Sequence, residues 1–132
     1  MTAYHGGYPG LEAGDEILPP CETGFSRSLP TRWTCAFVTQ DFDYALRRAV
    51  DFVGYSSRGA DREASRVYEV ELPADVRCPA YWMGPIQVQR ARITRVLVRD
   101  LRWDGSRHHF AEVDPEFADA VRDRLQDYVA YP

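Results

Sequence analysis

The stretch from Thr34 to Gly54 constrains this chain more than any other. Thr34-Cys35-Ala36-Phe37-Val38-Thr39 is a compact apolar run suited to a buried strand. The period then changes at once. Phe42, Ala45, Leu46, Ala49, Val50 and Val53 recur at helical spacing, while Asp43, Arg47, Arg48 and Asp51 fill the other face. Thr39 or Asp41 can cap the start, and Gly54 can supply the left-handed turn that stops the helix. A buried strand leading directly into an amphipathic helix predicts a mixed fold.

The remaining segments read mostly as strands and loops. Residues 3–8 form a short first strand that ends in the glycine turn of Tyr4-His5-Gly6-Gly7. From Pro9 to Pro30 there are four prolines, three glycines and little periodicity, so the reading is one long ordered loop that covers a site. Residues 55–65 are a second, polar loop. Val67–Leu72 alternates, with Tyr68, Val70 and Leu72 on one face and Glu69 and Glu71 on the other, and Pro73 ends it.

A loop from Pro79 to Pro85 holds Tyr81, Trp82 and Met83. Ile86–Leu101 is a long strand-like segment whose apolar parity changes near Arg92–Thr94, which predicts a bulge or two consecutive strands there. Arg90, Arg92, Arg95, Arg99 and Arg102 lie along it, either as a solvated face or as a patch for an anionic ligand. Trp103-Asp104-Gly105-Ser106 is a turn, and His108 and His109 read as surface residues. Asp114-Pro115 opens a last helix, with Phe117, Ala118, Val121, Leu125 and Tyr128 as its apolar stripe.

At 132 residues, with no linker or internal repeat, the chain reads as a single domain, residues 1–132. No apolar run approaches the ~20 residues of a membrane span, and no basic-then-apolar leader opens the sequence, so a cytoplasmic protein is expected. All sixteen basic residues are arginine, and net charge is −4, which argues against a general nucleic-acid backbone binder. Lysine is absent, which excludes a phosphate-loop lysine and Schiff-base chemistry. Cys21, Cys35 and Cys78 match neither a disulfide framework nor a zinc pattern, and no metal site is expected.

Chemistry concentrates at the first strand. His5 offers two ring nitrogens with a pKa near neutrality, and the adjoining glycines let another molecule approach the backbone. The order of motifs downstream adds to this. Tyr4-His5-Gly6, Leu11 with Gly14-Asp15, Ala36-Phe37-Val38-Thr39 with the Ala45/Ala49 helix, Val67-Tyr68-Glu69-Val70-Glu71, and Pro85-Ile86-Gln87 running into Ile93-Thr94-Arg95-Val96 follow one another over residues 3–100. In that order they resemble the Arr-type, rifamycin-modifying branch of the NAD-dependent ADP-ribosyltransferases.

The resemblance implies an α+β fold with a split, strongly curved β core and flanking helices. It implies NAD as co-substrate, bound in the cleft between the halves, and transfer of ADP-ribose to a hydroxyl on a small molecule such as a rifamycin or on another target. His5 would bond the adenosine-side ribose and the Gly6 backbone would lie against the nicotinamide amide, with Gly7, Phe37, Thr39 and Tyr44 as further cofactor contacts. Phe37 falls where the family places a tyrosine that stacks on the nicotinamide ring. His5, Gln87 and Asp75 are the candidate catalytic residues. Gln87 falls where many relatives carry a catalytic glutamate. The branch's aspartate falls in the loop after Leu72, where Asp75 is the acid present and an ungapped match gives Arg77 or Cys78.

Two rival readings accompany this one. The first is a non-catalytic descendant of the same fold, binding a nucleotide or a protein. The second is an RNA-processing relative, since the 2′-phosphotransferases share the fold, although the acidic net charge argues against it.

Overall fold

The computed structural model describes residues 1–23, 35–53, 64–103 and 106–128. Within them the protein is an α+β domain built on one curled, wholly antiparallel sheet. The strands are β1 (Thr2–Gly7), β2 (Glu16–Ile17), β3 (Ala36–Thr39), β4 (Ser65–Glu71), β5 (Pro85–Val88), β6 (Ala91–Trp103), β7 (His108–His109) and β8 (Glu112–Val113). Six of them are ordered β2-β6-β4-β1-β3-β5, and the short β7 and β8 also pair with β6. The helices are α1 (Pro20–Thr23), α2 (Phe42–Val53) and α3 (Ala118–Tyr128).

The curl has its origin in β6. Glu69 pairs with Arg95 and Val70 with Ile93, which leaves Thr94 as an extra residue, and the register against β4 shifts twice more toward Leu101. Each such bulge bends the strand and increases its twist. The Thr94 hydroxyl, displaced by the bulge, donates to the Glu69 carboxylate at 2.7 Å. Asp100, near the last shift, has φ 53°, a left-handed conformation that aspartate tolerates better than most residues. The parity change in the sequence is therefore a real bulge at Thr94. The strand break lies earlier, between Val88 and Ala91, where β5 goes to β3 and β6 to β4.

Both faces of the sheet are covered. On one, Ala3, Val38, Tyr68, Val70, Ile86 and Ile93 form a core inside the curl. On the other, α2 buries Ala45, Leu46, Ala49, Val50 and Val53, and Val121 and Leu125 of α3 join Leu46, Val67, Leu97 and Val98. Deleting the Leu46 side chain from such a site costs roughly 2–5 kcal/mol. Asp41 caps α2 by accepting from the Asp43 amide at 3.0 Å, and Thr39 in turn accepts from the Asp41 amide. The predicted strand and helix are thus present, while Thr34 and the stop at Gly54 lie outside the described residues, as do residues 55–63 and the Asp104-Gly105 turn.

Two readings are corrected, and the Asp114-Pro115 helix start holds with a refinement. The segment after Pro9 is not one unbroken loop: Ile17 is buried and pairs with Ala91, and Pro19 and Pro20 open the single turn of α1. The last helix begins with a 3-10 turn, Pro115–Phe117, whose cap is Asp114, and becomes α-helical at Ala118. His108 is buried, because the register sets it opposite Trp103 with the ring centroids 4.7 Å apart, while His109 stays exposed.

The arginine row from Arg90 along β6 is paired at three positions. Arg95 binds Glu69, Asp114 and Glu116, Arg99 binds Glu12, and Arg90 binds Glu22. Each of these three already has carboxylate partners, which answers the choice between solvated face and anion patch for them. Among the described residues, no helix is long and apolar enough to cross a membrane.

Candidate functional site

β1 pairs with β4 at six positions, Thr2 to Gly7, but with β3 at one, Tyr4 opposite Thr39. Beyond that pair the two strands part, so His5, Gly6 and Gly7, still paired with β4, have no strand partner on the β3 side among the described residues. A cavity of about 490 Å³ occupies the opening, within the ~300–1,000 Å³ usual for small-molecule sites. β1 and β3 form one side of it, α2 contributes Tyr44, Arg48 and Phe52, and the segment after β1 contributes Tyr8 and Leu11.

Gly6 fixes how closely helix and strand approach. A Cβ there would stand 1.8 Å from the Ala45 carbonyl oxygen and 3.0 Å from the Ala49 nitrogen. The close approach expected of a ligand at Gly6 is made on this face by α2 itself. Gly7 follows with φ 140°, a conformation that side chains disfavour, and its Cβ position is 3.3 Å from the Phe52 ring.

His5 is held from two sides. Its Nδ1 lies 2.7 Å from the Phe37 carbonyl oxygen, and its ring stacks on Tyr68 with centroids 6.3 Å apart. A carbonyl only accepts, so Nδ1 carries the proton. Burial pushes the imidazole below its ordinary pKa; the bond to Phe37 opposes this, and the charge of Arg48 adds to the lowering. The ring is consequently neutral at pH 7, and Nε2 presents a lone pair. Such a group accepts a hydrogen bond from a hydroxyl.

The wall after β1 is tied down from beneath. Tyr68, fully buried, donates its hydroxyl to the Tyr8 carbonyl and accepts from the Leu11 amide at 3.2 Å. Burial raises the pKa of that phenol, so it stays protonated. Arg66 adds bonds to the Leu11 carbonyl and to Glu12, both at 2.9 Å, and Arg99 grips Glu12 in fork geometry at 2.8 and 2.9 Å. These two guanidinium groups hold the Glu12 carboxyl down at about 2.

The six residues assigned to the cofactor, His5, Gly6, Gly7, Phe37, Thr39 and Tyr44, all line this one cavity. Thr39 is buried and its hydroxyl is already used, donating to the Met83 carbonyl and accepting from Asp41. Gln87 stands directly across the ladder from Phe37, on the same face but one strand further out, and is exposed. Asp75 is exposed in the connection from β4 to β5. Neither is among the cavity-lining residues. Among the described residues, the carboxylates that line it are Glu16 and Asp51.

Sequence reasoning missed Arg48 and Phe52, although their signal was present: Tyr44, Arg48 and Phe52 repeat at i, i+4 and i+8, one stripe of the helix. No protein-family model matches this chain, and neither does any curated protein or solved structure.

Proposed function

We propose that this protein is an NAD-dependent ADP-ribosyltransferase, with NAD bound in the opening between β1 and β3. The observation that carries the reading is the neutral, doubly anchored His5, which lines one cavity together with the other five residues the resemblance assigned to the dinucleotide. A ribose hydroxyl is the donor that the Nε2 of a neutral imidazole accepts. Phe37 offers a ring for the departing nicotinamide. Nicotinamide leaves a cationic pyridinium as a neutral molecule, so bending the dinucleotide and steadying the ribose supply much of the catalysis. Gln87, beside Phe37, can orient a ribose hydroxyl through its amide, and an acceptor hydroxyl such as a rifamycin's then bonds the ribose carbon that nicotinamide has left, releasing its proton to solvent.

The test is nicotinamide release from NAD, followed chromatographically with and without rifampicin. Turnover with a product heavier by one ADP-ribose supports the transferase. A second reading, an NAD-binding module without catalysis, draws on the position of Gln87 and Asp75 outside the cavity lining. Saturable NAD binding with no nicotinamide release selects it.

A further inference from the structure

One wall of the cavity carries a charge between two rings. Tyr44, Arg48 and Phe52 follow one another along α2 at four-residue steps, and all three line the cavity. At 1.5 Å per residue the Cα atoms of Tyr44 and Phe52 are ~12 Å apart along the helix, with that of Arg48 midway. α2 runs alongside β1: Phe42 contacts Tyr4, Ala45 meets Gly6, and Phe52 lies against Gly7. Arg48 lines the same cavity as His5 and is near enough for its charge to lower the imidazole's pKa.

Two carboxylates line the cavity as well, and each bridges to an arginine outside the lining: Asp51 to Arg47 at 3.7 Å and Glu16 to Arg90 at 3.9 Å. The order ring, cation, ring matches a dinucleotide, in which a diphosphate joins two nucleosides. Guanidinium groups bind phosphate oxygens through paired N–H donors, which an ammonium cannot do.

We propose that Arg48 is the diphosphate-binding residue of this cleft, with Tyr44 and Phe52 as the ring contacts on either side of it. The proposal rests on the dinucleotide reading above, and it adds a specificity: ligands that carry a diphosphate are favoured over nucleosides.

The experiment compares wild type, Arg48→Gln and Arg48→Lys, each checked for folding by circular dichroism, in calorimetric titrations with NAD, ADP and adenosine. Arg48→Gln is expected to lose at least tenfold in affinity for NAD and ADP and to keep its affinity for adenosine. Arg48→Lys should fall between Arg48→Gln and wild type. Wild-type ADP affinity in Arg48→Gln overturns the proposal, and so does an equal loss for adenosine, which marks a merely structural role. Wild type that binds neither ADP nor NAD also overturns it. Wild type that binds ADP but not NAD, with ADP lost in Arg48→Gln, supports the role of Arg48 and refutes the NAD reading alone.

Discussion

His5 and Phe37 are joined side chain to backbone across the point where β1 and β3 separate, at 2.7 Å. This bond spans a gap that a continuous ladder would have filled with backbone pairs. It fixes the tautomer of the imidazole and keeps the two strands in register while leaving room between them for a ligand.

Keeping His5 neutral has a pH signature. Its folded pKa is lowered from the ordinary value of about 6.5, so the unfolded chain takes up the proton first as pH falls. The stability this neutral ring contributes is present above about pH 6.5 and is lost on acidification below it, until the folded pKa is also passed. Urea unfolding of wild type and His5→Gln between about pH 7.5 and 5.5 should therefore show the wild-type advantage shrinking as pH drops. An advantage that is flat or grows on acidification contradicts the assignment.

Gly6→Ala should be among the most damaging small substitutions in the chain. The added methyl meets a backbone carbonyl at 1.8 Å, which no side-chain rotation relieves, so β1 or α2 must move. A loss of about 3 kcal/mol or more is expected from overpacking against backbone. Denaturant unfolding reads it directly, and a loss under ~1 kcal/mol would mean that the strand and helix are not so tightly apposed.

Tyr68→Phe removes one buried hydroxyl that serves two backbone groups of the segment after β1. A cost of roughly 1–3 kcal/mol follows from leaving the Tyr8 carbonyl and the Leu11 amide without their partner. Hydrogen exchange should quicken at Leu11 well before it changes in α2. Uniform quickening across the chain would argue instead for a general loss of stability.

Much of the fold was legible because it follows from local period. α2 could be read from its five buried positions, β4 from its alternation, and the bulge from a parity change that Thr94 accounts for. The glycine turn was legible as special, but not the reason: Gly6 is required by the passage of α2, a contact between residues far apart in sequence. β2 was missed because two residues carry no period, and its existence depends on the partner strand β6. His108 was misjudged because its burial comes from cross-strand register with Trp103 rather than from its neighbours. At the site, Arg48 read as the solvent face of an amphipathic helix, and nothing in that helix alone shows that the parting of β1 and β3 lies beside it.

Gln87→Glu tests the catalytic half. A carboxylate beside Phe37 would stabilise the positive charge that develops on the ribose as nicotinamide leaves. Nicotinamide release should rise about tenfold or more with NAD affinity altered less than about threefold. A variant with unchanged or slower release would place Gln87 outside the reacting geometry.

The most direct measurement of the central claim is a calorimetric titration of NAD into wild type and His5→Ala, both confirmed as folded. Saturable binding at one site in wild type, weakened at least about tenfold in His5→Ala, is the predicted result. Wild type that gives no binding, or His5→Ala that binds NAD as tightly as wild type, would contradict it.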